Sequence, residues 1–315
     1  MSTVKDFSEF CKSDLNDFLL ALENERKSVA KTGVTGFIFL GLAIISVRIA
    51  IEDRPMVFIV AFICLVPAII LLIRFYNKKK NYVGRFKDEI IHNIVKFIDP
   101  SLRYDPAGHI HPKDYKQSGL FLEKFDRYRG DDYVEGMKGK TVFCFSELHT
   151  EREVQSGNDS SNWETIFKGL FFIGDFNKNF RGRTYVYSEN NPQLGFFSKL
   201  LTSFARDLEK VKLESTEFEN KFIVYSSDHV EARYILTPSF MERLVKLQTL
   251  MSDSTSYSFV NSNVYVAVPI SDKLFEPSVF SVNDYNKLGD YYNTVHIVFD
   301  IIDELNLNLR IWNKE

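Results

Sequence analysis

GVTGFIFLGLAIISVRIAIEDRPMVFIVAFICLVPAIILLI, Gly33 to Ile73, decides how this chain is built. It holds two apolar runs, Gly33 to Ile51 and Met56 to Ile73, parted only by Glu52, Asp53, Arg54 and Pro55. Each is close to the roughly 18–20 residues that cross a hydrocarbon core of about 30 Å as a helix. A removable signal peptide is a poor match, because a long charged and polar segment precedes the first run and no small-residue cleavage pattern ends it. A buried hairpin in a soluble core would also be apolar, but it has no need of a basic cluster immediately outside it. The pattern predicts a transmembrane hairpin.

Arg26, Lys27 and Lys31 precede the first run, and Arg74, Lys78, Lys79, Lys80, Arg85 and Lys87 follow the second. The turn offers only Arg54 against Glu52 and Asp53. By the positive-inside rule both termini are expected in the cytoplasm. Arg74, Lys78, Lys79 and Lys80 are expected to anchor the hairpin at the headgroups. Arg48 lies about one turn from the apolar run's end, so snorkelling to the interface is its expected role, with a functional intramembrane cation as the sharper alternative.

Beyond residue 80 the chain carries 28 basic and 34 acidic residues of its 39 and 42. This mildly acidic balance argues against a nucleic-acid partner, which calls for a basic stripe. Cys11, Cys64 and Cys144 lie far apart, so neither a disulfide framework nor a cysteine-based zinc site is expected. No cofactor fingerprint is present: the glycine-rich dinucleotide loop, the paired-histidine zincin motif and the nucleophile elbow are all missing.

The periodicity divides the chain into four parts. Residues 1–32 form an amphipathic helix, read over Val4 to Ala30 from Phe7, Phe10, Cys11, Leu15, Phe18, Leu19 and Leu22. Residues 33–74 are the hairpin, with crossings at 33–51 and 56–73. In 75–117 a juxtamembrane helix, Tyr82 to Ile98, stops at Asp99-Pro100 and gives way to a linker containing His109-Ile110-His111. The two flanking helices are expected to pack as a stalk. Residues 118–315 read as an antiparallel α+β domain with C-terminal helices. Its expected hairpins join Asp132–Gly136 to Lys140–Glu153, Trp163–Phe176 to Arg183–Tyr187, and Tyr257–Val260 to Val264–Val268, with Ser156 to Asn162 as a polar loop. Helices are expected at Phe196–Leu208, Pro238–Met251 and Asn283–Leu305. Phe222–Ser226 and Glu231–Leu236 read as strands or strand–helix edges.

Candidate chemistry is sparse. Glu147, His149 and Glu151 alternate along a strand and would project from one face, where two carboxylates and an imidazole could hold a divalent metal. A solvated sheet edge produces the same spacing, and no fourth ligand is apparent. Gly139-Lys140-Thr141 imitates the end of a phosphate loop, but Val134 stands where the earlier glycine is required. Ser227-Asp228-His229 has triad residue types that adjacency prevents from forming a triad, and it reads as a polar turn. The aromatic run Phe167 to Phe176, with Lys178, Arg181 and Arg183, could stack single-stranded nucleic acid, but phenylalanines on both faces of a strand point to core.

Several blocks, in order, carry a resemblance. Tyr128-Arg129-Gly130-Asp131-Asp132-Tyr133-Val134-Glu135-Gly136, Phe145-Ser146-Glu147-Leu148-His149-Thr150-Glu151, Ile166 to Phe172 with Asp175-Phe176-Asn177-Lys178, and Val224-Tyr225-Ser226 with Glu231-Ala232-Arg233-Tyr234 and Leu236-Thr237-Pro238 resemble a bacterial membrane-protein family classed as domain of unknown function 3137. The resemblance implies no activity and no catalytic residues. It implies at most an envelope-associated partner such as a LemA-like membrane protein. The sequence thus leads to a non-enzymatic membrane protein whose cytoplasmic domain binds a protein or self-associates. Two alternatives remain: a metal-dependent hydrolase using Glu147, His149 and Glu151, and a membrane-perturbing or sensing oligomer hinted at by Arg48 and Pro67.

Overall fold

Thirty-seven residues, Asn16–Glu52, run as one helix (α2) of about 55 Å. The computed structural model describes residues 4–52, 57–156, 160–176, 180–191, 194–195, 207–279 and 285–305. The chain forms two compact units, Met1–Ile98 with Phe275–Asp290 and Asp99–Leu274 with Tyr291–Glu315.

In the first unit α2 follows a short helix, α1 (Val4–Ser13), and precedes α3 (Val57–Phe86), a π-helical turn at Lys87–Ile91 and α4 (His92–Ile98). Leu22, Val29, Gly36, Ala43 and Ala50 are buried at seven-residue intervals, facing Ala61, Ala68 and Tyr82 at multiples of the same interval. That repeat keeps one stripe against a partner helix in a left-handed pair. Its residue sizes change along its length. Gly33, Gly36, Ala43, Ser46, Ala50, Ala61 and Ala68 line the apolar section, whereas Leu22, Val29, Tyr82, Phe86 and Ile90 line the section beyond. Close backbone approach over small residues is how helices associate where the surroundings give them no hydrophobic reason to do so. A Cβ on Gly33 would stand 2.7 Å from the Phe75 ring.

The outer faces carry Ile38, Ile44, Ile45, Ile51, Phe62 and Ile63, all more than half exposed. Two helical stretches, Asn16–Ile51 and Phe58–Ile98, are long and apolar enough to cross a membrane, and only 22% and 11% of their most apolar windows are buried. A soluble core helix of that composition would hide those side chains.

The flanking helices do form a stalk. Arg85 pairs with Glu25 across it and with Glu89 at 2.7 Å on its own helix. A return segment completes it, with Arg26 Nη1 donating to the Val279 carbonyl at 2.8 Å and the Tyr82 hydroxyl to that of Ser278 at 3.2 Å. The expected single helix from Val4 to Ala30 is broken. The Asp14 and Leu15 amides both donate to Phe10 O, and α1 turns so that Phe10 stacks on Phe97 of α4 at 4.3 Å. Asp14 and Ser13, whose side chains prefer local hydrogen bonds to a helix interior, supply the break.

The second unit is built on a nine-stranded sheet in the order β1-β2-β3-β4-β9-β8-β5-β7-β6, every pair antiparallel. The strands are β1 Arg103–Asp105, β2 Arg127–Lys138, β3 Thr141–Ser156, β4 Ser160–Asp175, β5 Thr184–Ser188, β6 Glu209–Val211, β7 Phe222–Ser226, β8 Ser256–Val260 and β9 Asn263–Pro269. Helices α5 (Pro112–Gln117), α6 (Thr216–Glu219), α7 (His229–Ile235) and α8 (Pro238–Leu250) accompany it, as does α9 (Tyr285–Glu304) from Tyr291 onward. The aromatic run of β4 is core on both faces: Phe171 meets Tyr115 of α5 at 5.3 Å on one side, and Phe172 meets Phe143 at 6.1 Å on the other. Phe143 in turn meets Phe299 of α9, and Phe240 of α8 packs on Phe259. Gly139, at φ 62°, and the Asn261-Ser262 pair, at φ 51° and 68°, make the two tight hairpin turns.

Three expectations are corrected. Trp163–Phe176 and Arg183–Tyr187 do not pair with each other, because β8 and β9, a hairpin formed later in the chain, insert between β4 and β5. Glu231–Leu236 is helix, lying within α7 up to its C-cap Leu236, and Asp228 starts that helix as N-cap by accepting from the Val230 and Glu231 amides. His109-Ile110-His111 is built into the fold, with Ile110 buried, its amide on Ser146 Oγ at 3.1 Å and its carbonyl accepting from Tyr128 at 2.7 Å. The polar loop shrinks as well, since β3 runs to Ser156 and β4 starts at Ser160. The helix expected at Phe196–Leu208 lies almost wholly outside the described residues.

Candidate functional site

Glu147 sits on β3 opposite Asp131 of β2, where the register slips between Asp131 and Val134. The slip sets two β2 residues against one on β3, a bulge that re-aims side chains. Asp132 takes φ 59° there and is 1% exposed. Gly130 permits the bend: a Cβ on it would stand 2.6 Å from the Glu147 carbonyl and 2.7 Å from His109 Cβ. As a result one carboxylate oxygen each from Asp131, Asp132 and Glu147 lies within 4.8 Å of the others, with Asp132 and Glu147 buried.

These acids are tied into the fold. The Tyr104 hydroxyl donates to Asp132 Oδ1 at 2.6 Å, and the Leu274 amide donates to Glu147 Oε2 at 2.8 Å. Burial raises the Glu147 carboxyl above its ordinary range; Asp131 and Asp132 push the same way, and the Leu274 amide opposes them. Carboxylate oxygens this close together suit a hard cation. Asp131, Asp132 and Glu147 are the residues that could offer oxygen ligands to such an ion.

His149 and Glu151 lie further along the same strand in a different environment. His149 Nε2 is 3.3 Å from Thr165 Oγ1 and 3.8 Å from Glu151, and burial lowers its imidazole below the ordinary value. Glu151 faces Arg129 at 3.6 Å and Arg127 at 4.0 Å. Glu147 is thus brought to Asp131 and Asp132, while Glu151 is brought to two arginines. Sequence reasoning missed the aspartate pair. Its signal was Gly130-Asp131-Asp132 inside a strand, three residues that strands disfavour.

The basic residues beside the apolar runs fall into two kinds. Arg74 and Lys80 are exposed, whereas Lys78 donates to Ser28 Oγ at 2.9 Å and Thr32 Oγ1 at 3.2 Å, and Lys79 pairs with Glu276 at 3.5 Å. Arg48 is exposed and lines an apolar groove of about 530 Å³ between α2 and α3, with Ile44, Val47, Phe58 and Phe62.

Nothing among curated proteins matches the chain. Among solved structures, the crystal structure of the mycobacterial trehalose monomycolate transport factor A, TtfA, aligns over 69% of this chain and 95% of that one, at 8% identity and a TM-score of 0.36. A likeness that loose transfers neither fold nor function. Residues 165–307, which take in the blocks around Ile166–Lys178 and Val224–Pro238 but not those at 128–151, match the family described as Protein of unknown function (DUF3137), so the chain resembles that family over this stretch.

Proposed function

We propose that this protein is a bilayer-spanning helical hairpin of the bacterial inner membrane, both ends cytoplasmic, that presents its α+β unit as a protein-binding or self-assembly module rather than an enzyme. One observation carries the reading. The α2/α3 pair keeps small residues inside its seam and turns large aliphatic side chains outward along the two apolar runs, an arrangement suited to lipid and costly in water. The orientation is supported by Arg26, Lys27, Lys31, Arg74 and Lys80 at one end of those runs against Arg54 at the other.

A binding role is supported by a groove of about 650 Å³ beside the β2–β3 turn, lined by the paired Cys144 and Ile173 and by Met137 and Val142, which are exposed at 56% and 60%. A second copy of the chain or an envelope protein of the LemA-like kind would cover it. Protease treatment of oriented vesicles tests the topology: inverted vesicles should lose the 99–315 portion and right-side-out vesicles should keep it. Native mass spectrometry of the detergent-extracted protein tests the role. A discrete oligomer or a retained partner is expected; a bare monomer whose wild-type and Val142→Asp forms capture the same set of proteins would refute the assembly reading.

A further inference from the structure

We propose that a cleft at the far end of the sheet binds a small amphipathic amine, its apolar body on an aromatic floor and its ammonium against Glu123. The proposal stands whether or not the hairpin spans a bilayer.

The strand register makes the cleft. β2 stops pairing at Arg127–Glu151 and β9 at Pro269–Gly169, so β3 and β4 continue beyond both as a two-stranded ribbon. Where the ribbon begins, Thr150 pairs with Phe167 and Glu151 with Thr165, leaving Ile166 as an extra residue. Such a bulge bends the strand and often re-aims side chains at a site. The bend opens a cleft of about 650 Å³ whose floor is Phe121, Ile166, Phe167, Pro269 and Ile270. Small-molecule sites are commonly about 300–1,000 Å³, mostly apolar, with a few convergent polar groups.

The polar wall gives the ligand's sign. Glu123 has a side chain 6% exposed, in ion contact with Arg152 Nη1 at 3.0 Å. The other guanidinium nitrogens, Nε and Nη2, both donate to Glu164 Oε2, at 3.0 and 2.8 Å. One guanidinium therefore serves two carboxylates and leaves that wall net negative. Lys168 also borders the cleft and keeps its charge, its Nζ donating to the Ser271 carbonyl, so the cleft as a whole is balanced and the negative excess belongs to the Glu123–Glu164 wall. Burial raises the Glu123 carboxyl, and Arg152 opposes the shift. An arriving anion would meet two carboxylates and an arginine already engaged. A cation would complete the charge balance of that wall, and an ammonium in a partly desolvated place makes strong charge-assisted hydrogen bonds to carboxylate.

The probes are 4-fluorophenethylamine, the same-shaped 4-fluorophenethyl alcohol and 3-(4-fluorophenyl)propionate. Each is titrated by fluorine NMR into the full chain held in amphipol. The amine should saturate with a dissociation constant at least about tenfold below that of the alcohol, and the acid should not saturate. Glu123→Gln should bring the amine to the alcohol's affinity. Glu164→Gln, at an exposed position that does not threaten the fold, should lower the amine's advantage by a smaller factor. Ile270→Ala should weaken amine and alcohol by the same factor. The proposal is overturned if amine and alcohol bind alike, if the acid binds best, or if none saturates. Retention of the amine's advantage in both glutamine variants, with their circular dichroism unchanged, overturns it too.

Discussion

Gly169→Ala tests whether the β4–β9 junction is held by backbone contact or by side-chain packing. Gly169 has φ 151°, a conformation L side chains rarely adopt, and a Cβ there would lie 2.1 Å from the Val268 carbonyl oxygen, 2.7 Å from the Ile270 amide and 3.0 Å from Pro269 Cα. All three obstacles are backbone of the neighbouring strand, so none can rotate away. The strained φ costs about 1–3 kcal/mol. Withdrawing the strand end breaks the Ile270 amide's hydrogen bond to Lys168 O and loosens the Gly169–Pro269 pair, at about 1 kcal/mol each. The total, about 3–5 kcal/mol, is a large part of the 5–15 kcal/mol typical of a domain. At about 2–4 °C per kcal/mol for a unit of this size, the melting midpoint should fall by about 6–20 °C. Gly136→Ala is the control. Its Cβ would lie 2.3 Å from Leu102 Cδ2, a closer approach than most in the protein, but that atom is the end of a flexible side chain and can turn for about 1 kcal/mol. Scanning fluorimetry on Trp163, in the β4 arm, reads both variants. Equal midpoints for the two, or a Gly169→Ala midpoint within about 1 °C of wild type, would refute the reasoning.

Glu147→Gln should remove one pH-dependent loss of stability. Burial holds the folded-state carboxyl above its unfolded value, so the native state binds the proton more tightly. Glu147's contribution to stability is then greatest below the unfolded carboxylate pKa and is lost as pH rises through the raised folded value. The variant should melt higher than wild type at pH 8 and match it in acid; a wild type that gains stability with pH relative to the variant refutes this. Tyr104→Phe removes the 2.6 Å hydrogen bond to buried Asp132 and should cost about 1.5–3 kcal/mol in denaturant titration, whereas a loss under about 0.5 kcal/mol would mean the aspartate finds another donor. Ile63→Asp, on the outward face of α3, should oppose bilayer insertion by about 3 kcal/mol and raise the alkali-extractable fraction. An unchanged fraction would argue that this face does not meet lipid.

Where a local pattern suffices, residues alone predicted the structure. The two apolar runs, the stalk helices and the hairpins at Gly139 and Asn261-Ser262 rest on periodicity and turn chemistry, which act over a few neighbours. β4 illustrates the limit. Its phenylalanines marked it as a buried strand, yet nothing local said that its neighbour would be β9, about ninety residues later, and not β5. His109-Ile110-His111 looked like a linker because its burial depends on Ser146 and Tyr128, which no local pattern reports. The candidate sites fared similarly. Glu147 was visible by its alternation with His149 and Glu151, but its company was decided by a bulge that brought Asp131 and Asp132 to it and left Glu151 to Arg129. Glu123 and Arg152 gave no signal at all, being twenty-nine positions apart in elements of ordinary composition.

The sequence by itself determined that this is an α+β chain with two apolar helices long enough to cross a bilayer, because hydropathy and its period are properties of contiguous residues. Only the tertiary structure decided which strands are neighbours, which carboxylates share a place and where a cleft opens. Strand order, a one-residue bulge and the burial of a charge are settled by the lowest free energy of the whole sheet, to which residues far apart in the chain contribute together.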